Sequence, residues 1–359
     1  MHKAIRIFLK TLSIIIAFAV MVSALALGTA VYFNSPPEMN LAPGESTLAG
    51  SDIGLDDNGN MLLEVKNGET AYSVGSRLEN AGVIRNRFLW NLIFRFGSGY
   101  IKAGTYKIEL PESLIKIRSI LISGEQLLVK VTIPEGITLK KISQILDSSL
   151  ICGEEEFLEA ASSREILDAF HVPGDTMEGY LYPDTYFFNL KYPAERVVSV
   201  MAGNFFRRLD ELVPGASSLN MNELNEKIII ASIVEREYRI PEEASVMAGV
   251  FYNRLKIGMS LQSCATVEYV ITEIEGRPHP EILYNRDLEI KNPYNTYIKS
   301  GLPPGPISVP GETALKAAFF PSKTEYFYFR IVDPGEGRHY FSRTLDDHIR
   351  AGKIYTKGS

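Results

Sequence analysis

An uncharged run near the N-terminus restricts the folds available to this chain more than any other sequence feature. Residues 11–33 carry no charged side chain, and Lys3, Arg6 and Lys10 precede them. A helix that rises about 1.5 Å per residue over this length spans the ~30 Å hydrocarbon core of a bilayer. Because the basic residues precede the run and Glu38 is the first charge after it, we expect the N-terminus in the cytoplasm and the rest outside. This pattern predicts a single-pass protein of the inner (cytoplasmic) membrane.

The same run is also compatible with a cleaved signal peptide. Ala24-Leu25-Ala26 offers the small-residue pattern of a signal peptidase site. The apolar stretch continues past that site to Tyr32 and Phe33, which are aromatic residues at the expected membrane–water interface. These two residues favour a retained anchor.

Composition excludes several classes of function. A length of 359 residues suits two or three domains, and the net charge of -6 without a basic stripe argues against nucleic acid as a partner. The two cysteines, Cys152 and Cys264, lie far apart, and the five histidines form no H-x-x-x-H pair. We therefore expect neither a metal site nor a cofactor.

The composition changes along the chain predict four segments. A Pro-, Gly-, Ser- and Asp-rich stretch follows the apolar run and predicts a flexible linker. The predicted segments are the cytoplasmic N-terminus and membrane helix (1–33), the linker (34–60), a small α+β region (61–152) and a larger mixed α/β domain (153–359).

A weak internal repeat lies within the small region. Residues 65–84 align with residues 132–151, with Thr70 opposite Thr138. In each copy a strand leads to a glycine turn, a threonine N-cap (Thr70 or Thr138) and a helix with apolar positions four apart. Such units resemble LysM-like modules, which bind glycan strands. A spacer without a ligand fits the pattern equally well.

An unusually apolar helix is predicted in the larger domain, with Asn222 as a plausible N-cap. Residues 228–234 are almost entirely apolar, and Glu235 and Glu237 follow at once, before Pro241 ends the helix. A carboxyl group beside so much apolar surface should have a raised pKa, so either glutamate could act as a general acid. At about 100° per residue they lie roughly 200° apart and cannot both face one cleft. From the helix alone, both could simply mark its emergence into water.

Further along, a second helix begins at Pro241 and is expected to end near Gly258. A proline-rich loop at 301–307 is rigid enough to wall a cleft. A helix at 312–320 and a hairpin with strands at 326–332 and 339–343 complete the predicted elements.

Five separated motifs carry a family resemblance. They resemble motifs of the YceG-like endolytic murein transglycosylases, and the resemblance runs from about Met61 to the C-terminus, with a matching membrane anchor. The motifs are EGYLYPDTY (178–186), SIVEREY (232–238), VFYNRLKIGMSLQS (250–263), YNTY (294–297) and GLPPGPI (301–307).

The resemblance implies cleavage of the bond between N-acetylmuramic acid and N-acetylglucosamine within nascent peptidoglycan strands. The products carry 1,6-anhydro-N-acetylmuramic acid ends, and strand elongation is limited or terminated. The matching position makes Glu237 the catalytic acid, with Glu235 as the alternate. The substrate-binding positions implied are Asn253, Arg254, Gln262, Asn295 and Tyr297.

Two departures from the family pattern leave other functions open. Tyr238 stands where Ser or Thr is usual, and Cys264-Ala265 stands where an acidic residue and proline are more common. A catalytically inactive, membrane-anchored protein that binds peptidoglycan or serves as a scaffold is one alternative, and a conventional glycosidase is another. The expected partners are glycan strands, the membrane and, by resemblance, peptidoglycan synthases.

Overall fold

The first element of the computed structural model is α1, a 33-residue helix from His2 to Asn34. Its segment Phe8–Asn34 is long and apolar enough to cross a membrane, and none of that window is buried within the protein. Large apolar side chains such as Ile14 and Leu25 are exposed along it. The predicted long apolar helix is therefore present, with an apolar surface that no other part of the described chain covers.

The structure describes residues 2–38, 53–56, 58–333 and 335–355. Most of the predicted linker, residues 39–52 and 57, lies outside this range. The chain divides into two compact units, Met1–Leu128 and Val129–Ser359.

The N-terminal unit contains an antiparallel sheet with the strand order β1-β2-β3. Trp90 and Tyr106 are fully buried in its core. Trp90 lies so close to Gly75 that a Cβ there would come within 2.3 Å of the indole ring. The described elements of this unit are α1 (His2–Asn34), β1 (Gly54–Leu55), β2 (Met61–Val65), α2 (Ala71–Asn80), α3 (Arg87–Phe96), β3 (Gly104–Ile108) and α4 (Leu114–Ser123).

The C-terminal unit is mainly helical, with two separate pairs of strands, β4-β5 and β6-β7. Short 3-10 turns lie at Ala216–Ser218, Pro241–Glu243 and Asp287–Glu289, and a π-helical turn lies at Val270–Ile274. Its described helices and strands are β4 (Leu128–Thr132), α5 (Leu139–Ser148), α6 (Glu154–Ala161), α7 (Arg164–Ala169), β5 (Thr185–Asn189), α8 (Ala194–Leu212), α9 (Met221–Glu237), α10 (Ala244–Lys256), α11 (Cys264–Tyr269), α12 (Glu312–Phe319), β6 (Tyr328–Asp333), β7 (Arg338–Ser342) and α13 (Leu345–Tyr355).

The two copies of the repeat have the predicted local structure. Thr70 caps α2 by accepting a hydrogen bond from the Ser73 amide at 3.2 Å. Thr138 caps α5 in the same way, with the Lys141 amide at 3.3 Å. Each cap follows a glycine with positive φ, as a tight turn requires. The strand–turn–helix prediction is confirmed for both copies.

The chain divides at 128/129, however, and not at the predicted 152/153. The apolar side chains of the second copy, including Ile133, Ile142 and Ile151, belong to the core of the C-terminal unit. Its strand β4 pairs with β5, which lies more than fifty residues downstream. The local pattern of the repeat is the same in both copies, but it does not specify which core receives each apolar face.

Helix α9 lies at the centre of the C-terminal unit and packs against α10, α11 and α12. Its side chains from Ile228 to Val234 are buried. The N-cap is Asn220, which accepts from the Glu223 amide at 3.0 Å, so the predicted cap at Asn222 is wrong by two residues. The helix ends at Glu237, and Pro241 starts the 3-10 turn that leads into α10.

Two glycines inside helices should respond to alanine in opposite ways. In Gly203→Ala the new Cβ meets no atom within 4 Å, so we expect stabilisation by roughly 0.5–1 kcal/mol. In Gly249→Ala it would lie 2.4 Å from the Ser322 carbonyl oxygen, so we expect a loss of about 1–3 kcal/mol. Thermal unfolding of the full chain in detergent measures both. An equal response of the two variants would contradict the packing described at α10.

Candidate functional site

The last turn of α9 places one carboxyl group in a cavity. Glu237 lies one turn after the buried apolar segment 228–234 of the helix and accepts a hydrogen bond from the Ser263 hydroxyl at 2.5 Å. Burial raises the pKa of Glu237 above its ordinary value, because the charged form loses hydration. The Ser263 hydrogen bond opposes this change, since it stabilises the carboxylate. The group is therefore suited to give up a proton and to take one back.

This cavity, which we call the Glu237 cavity, has a volume of about 540 Å³. The end of α9, the 261–268 segment, the β6-β7 hairpin and α13 all contribute to it. Its lining residues are Arg236, Glu237, Arg239, Arg254, Leu261, Gln262, Cys264, Ala265, Glu268, Tyr297, Tyr328, Phe329, Arg330, Ile331, His339, Leu345 and His348.

Glu235 faces a different environment. Its carboxylate accepts hydrogen bonds from the Gly311 amide at 2.8 Å and from the Tyr238 hydroxyl at 3.4 Å. Burial raises the pKa of Glu235 to about 7. It does not line the Glu237 cavity. The two glutamates share a helix turn and a raised pKa, and, as the helix geometry predicts, they face different surroundings.

Three of the predicted binding residues line the cavity. The Arg254 guanidinium donates to the carbonyl oxygens of Phe327 and Leu261, at 2.6 and 2.5 Å, and lies over the ring of Tyr328. Arg254 therefore fixes the hairpin and the 261 segment against α10.

Gln262 and Tyr297 are the other two. The backbone N–H of Gln262 donates to the Thr296 carbonyl at 3.1 Å, and Gln262 has a positive φ of 50°. The Tyr297 hydroxyl lies 3.1 Å from the Cys264 sulfur. Both side chains contribute polar groups to the cavity wall.

The remaining two predicted binding residues do not line it. The Asn253 amide nitrogen donates to the carbonyls of Thr324 and Tyr326, at 2.8 and 3.0 Å. Asn295 is fully buried, and its amide nitrogen donates to the carbonyls of Leu288 and Ile290, both at 2.9 Å. Both amide nitrogens hold loops, and the predicted contact of these two residues with a ligand stays a prediction.

The proline-rich loop at 301–307 is also absent from the cavity wall. It packs on another side of α9, where the Ile307 amide donates to the buried Ser232 hydroxyl at 3.1 Å. This hydrogen bond between the Ile307 N–H and the Ser232 side chain anchors the loop to the core helix. The expectation that this loop walls the cleft is therefore wrong for the Glu237 cavity.

Sequence reasoning missed Ser263 and the hairpin residues. Ser263 ends the longest family-like motif, so a signal for it was available. His339 comes from β7, and its Nδ1 lies 2.8 Å from a carboxylate oxygen of Glu243. About a hundred residues separate the hairpin from Glu237, and no spacing rule links segments so far apart.

A third buried acid, Glu178, was also missed, although it begins the EGYLYPDTY motif. One carboxylate oxygen accepts from the Leu139 amide at 3.1 Å, and the other has no hydrogen-bond partner among the described residues. Burial raises the pKa of Glu178 to about 8. Glu178 is not part of the Glu237 cavity lining. Within the described residues, no group of three or more His, Cys, Asp or Glu side chains could hold a metal ion.

The architecture and the site together define a class of protein. Its members combine an apolar N-terminal helix with an α+β unit in which a glutamate, here Glu237, ends a core helix. A sequence model of the YceG-like family matches residues 63–353. The chain belongs to the YceG-like family.

Individual relatives agree with this membership. An endolytic murein transglycosylase of Bacillus subtilis is 28% identical over 331 residues, covering 87% of this chain and 89% of that protein. One of Streptococcus pneumoniae is 29% identical over 325 residues, covering 81% of this chain but only 57% of the relative. The chain thus spans little more than half the length of the pneumococcal protein. A crystal structure of a YceG-like protein from Listeria monocytogenes has 28% identity and a TM-score of 0.55, covering 81% of this chain and 98% of that one.

The Ser263 hydrogen bond leads to a measurable prediction. Ser263→Ala removes a donor that stabilises the Glu237 carboxylate, so the pKa of Glu237 should rise further. Carbon-13 NMR titration of labelled glutamate carboxyls, assigned with Glu237→Gln, measures it. Ser260→Ala is the matched control, because the Ser260 hydroxyl forms its hydrogen bond with the Ser300 hydroxyl, at 3.3 Å. A fall in the pKa of Glu237 would show that the hydrogen bond is not made.

The raised pKa of Glu178 predicts a pH-dependent stability. Its folded pKa of about 8 lies above the ordinary 4.5, so the folded chain holds a proton that the unfolded chain releases in that window. The stability that neutral Glu178 contributes is complete below about pH 4.5 and is lost as pH rises through about 8. Thermal unfolding between pH 5 and 8 should show this decline, and Glu178→Gln should reduce it. Glu155→Gln, at an exposed position on α6, should leave the decline unchanged.

Proposed function

We propose that this chain is an endolytic peptidoglycan lytic transglycosylase with Glu237 as its catalytic acid and base. It cuts the bond between N-acetylmuramic acid and N-acetylglucosamine within nascent strands and leaves 1,6-anhydro ends, which limits strand elongation. The observation that carries the proposal is the Glu237 carboxyl with its raised pKa, hydrogen-bonded to Ser263 and open to a cavity. The relatives from Streptococcus pneumoniae and Bacillus subtilis are endolytic murein transglycosylases, which supports the same reaction.

The reaction needs one acid. Protonated Glu237 gives its proton to the glycosidic oxygen as the bond from C1 of N-acetylmuramic acid to that oxygen breaks. The C6 hydroxyl of the same sugar attacks C1, and its proton passes to the Glu237 carboxylate. Hydrolases use a second carboxylate to attack the sugar or to activate water, whereas here the nucleophile belongs to the substrate. Because the attack is intramolecular, it carries little additional cost in translational entropy.

The other residues of the cavity fit this single-acid chemistry. The second acid of the lining, Glu268, is paired with Arg236 at 3.0 Å, which leaves Glu237 as the acid without a cationic partner. The Ser263 hydroxyl can stabilise the Glu237 carboxylate at the stage when its proton is on the leaving sugar. We propose that Arg254, Gln262 and Tyr297 contact the sugar, and that Asn253 and Asn295 hold the loops that position them.

The N-terminal unit suggests a second, non-catalytic contact with the wall. From β2 to β3 its order is strand, helix, helix, strand, and the two strands pair antiparallel. This order supports the proposal that residues 61–108 are a LysM-like module that holds a glycan strand. With α1 as a retained single-pass anchor and the rest outside the cytoplasm, both contacts would lie close to newly made strands. Peptidoglycan synthases are the proposed protein partners.

Replacement of each glutamate separately tests the assignment. Glu237→Gln keeps the shape of the side chain but removes its proton transfer, so release of anhydromuropeptides from purified sacculi should fall by at least about 100-fold. Glu235→Gln is the matched control from the same helix turn and should retain most of the activity. Mass spectrometry of the soluble products distinguishes anhydro ends from reducing ends.

The possible results separate the alternative functions. Reducing ends would indicate a conventional glycosidase. Sedimentation with sacculi without any soluble product from the wild-type chain would indicate a binding or scaffold protein. Full activity in Glu237→Gln together with loss in Glu235→Gln would transfer the acid's role to Glu235.

A further inference from the structure

The Glu237 cavity contains more positive charge than its acids balance. Its lining includes Arg239, Arg254 and Arg330, and none of the three forms an ion pair with any part of the chain that the structure describes. The acids of the lining are Glu237, whose pKa burial raises, and Glu268, which pairs with Arg236 at 3.0 Å, so the arginines of the lining outnumber the acids. The whole chain has a net charge of -6. A positive cavity in an acidic protein indicates that the ligand carries negative charge.

Two buried nitrogen atoms in this wall lack a partner. The Nη1 of Arg330 donates to the His348 carbonyl at 3.4 Å, but its Nε has no hydrogen-bond partner among the described residues. The Nδ1 of His348 is likewise buried and unpartnered there. Buried polar atoms without partners are costly. An arginine Nε can only donate, so the unpartnered Nε of Arg330 points to an acceptor that a ligand supplies.

The arrangement of the arginines distinguishes their roles. Arg254 is committed to two backbone carbonyls and to the face of Tyr328. Arg330 lies on the hairpin with free hydrogen-bonding capacity, and Arg239 is exposed just beyond the end of α9. Guanidinium groups bind carboxylates through paired N–H donors. Arg330 and Arg239 are therefore the two groups of this wall available to a carboxylate.

We propose that Arg330 and Arg239 bind a carboxylate on the lactyl–peptide substituent of N-acetylmuramic acid. This inference rests on the proposed function and adds the part of the substrate that the cavity selects. The N-acetylated sugar rings themselves are uncharged. The negative charge of a strand lies in the free carboxylates of its peptides, or in the lactyl carboxylate where the peptide has been removed. Charge at this wall would thus orient the muramic acid residue, and not its neighbour, beside Glu237.

The test compares three forms of one purified strand preparation. The first carries peptides with free carboxylates, the second carries peptides whose carboxylates are converted to neutral methylamides, and the third is bare glycan with free lactyl carboxylates. The full chain in detergent should release anhydro ends from the first form about tenfold faster than from the second, as expected for one charge-assisted hydrogen-bonded pair. Rapid cleavage of the third form would identify the lactyl carboxylate as the ligand, and slow cleavage would identify those of the peptide.

Variants connect this preference to the two arginines. In Arg330→Gln and Arg239→Gln the ratio between the first two forms should fall towards one, whereas Arg330→Lys should retain part of it because the charge remains. Arg338→Gln is the matched control. It removes a guanidinium from the same hairpin, but Arg338 pairs with Glu336 at the surface and does not line the cavity.

Binding measurements separate this proposal from the catalytic one. Glu237→Gln should bind soluble fragments of the first form more tightly than fragments of the second, and added salt should reduce the difference. If the wild-type chain released no anhydro ends from any strand, the catalytic proposal would fail and the binding comparison would still decide the carboxylate site. The carboxylate-site proposal would be overturned if the first and second forms bound equally well. It would also be overturned if Arg330→Gln and Arg239→Gln weakened the binding of both forms by the same factor.

Discussion

The hydrogen bond between Ser263 and Glu237 is the interaction on which the site depends. It joins the end of α9 to the start of α11, and it holds the carboxyl group of Glu237 against the cavity instead of in free solvent. The apolar surface of α9 raises the pKa of the acid, and the serine limits that rise. The first condition follows from placing a glutamate at the last turn of a core helix, and the second follows from the packing of Ser263 against that turn. A glutamate on a solvated helix would keep its ordinary pKa and would be a poor acid at neutral pH.

The C-terminal unit uses buried polar groups to hold its loops as well as to build the site. Ser232 fastens the proline-rich loop to α9, Asn253 and Asn295 fasten loops through backbone carbonyls, and Arg254 fastens the hairpin. These contacts satisfy backbone groups that irregular segments leave unpaired. The same motifs that mark the family thus contain both residues that line the cavity and residues that shape it. Family motifs alone do not separate these two roles.

The charge distribution gives the proposed reaction and the proposed substrate contact a common basis. Desolvation raises the pKa of Glu237 and so favours its uncharged form, which adds no negative charge to the cavity. Arg239 and Arg330, which form no ion pair within the described part of the chain, remain available to an anionic ligand. Glu237 provides the proton, and Arg239 and Arg330 provide the positive charge. In this arrangement the acid does not compete with the substrate for the arginines.

The sequence by itself determined the local features of this protein. The charge-free run specified α1, the apolar run before Glu235 specified the core helix, Pro241 ended it, and each threonine of the repeat became a helix cap. These features depend on neighbours within a few positions, so a linear pattern records them. Tertiary structure alone decided which core received the second repeat, which glutamate opened to a cavity, and whether each polar residue of a motif faced that cavity or a loop carbonyl. The partners of these groups come from segments tens of residues away, such as Arg330 and His339 on the hairpin. Only the packing of helices around α9 brings them together.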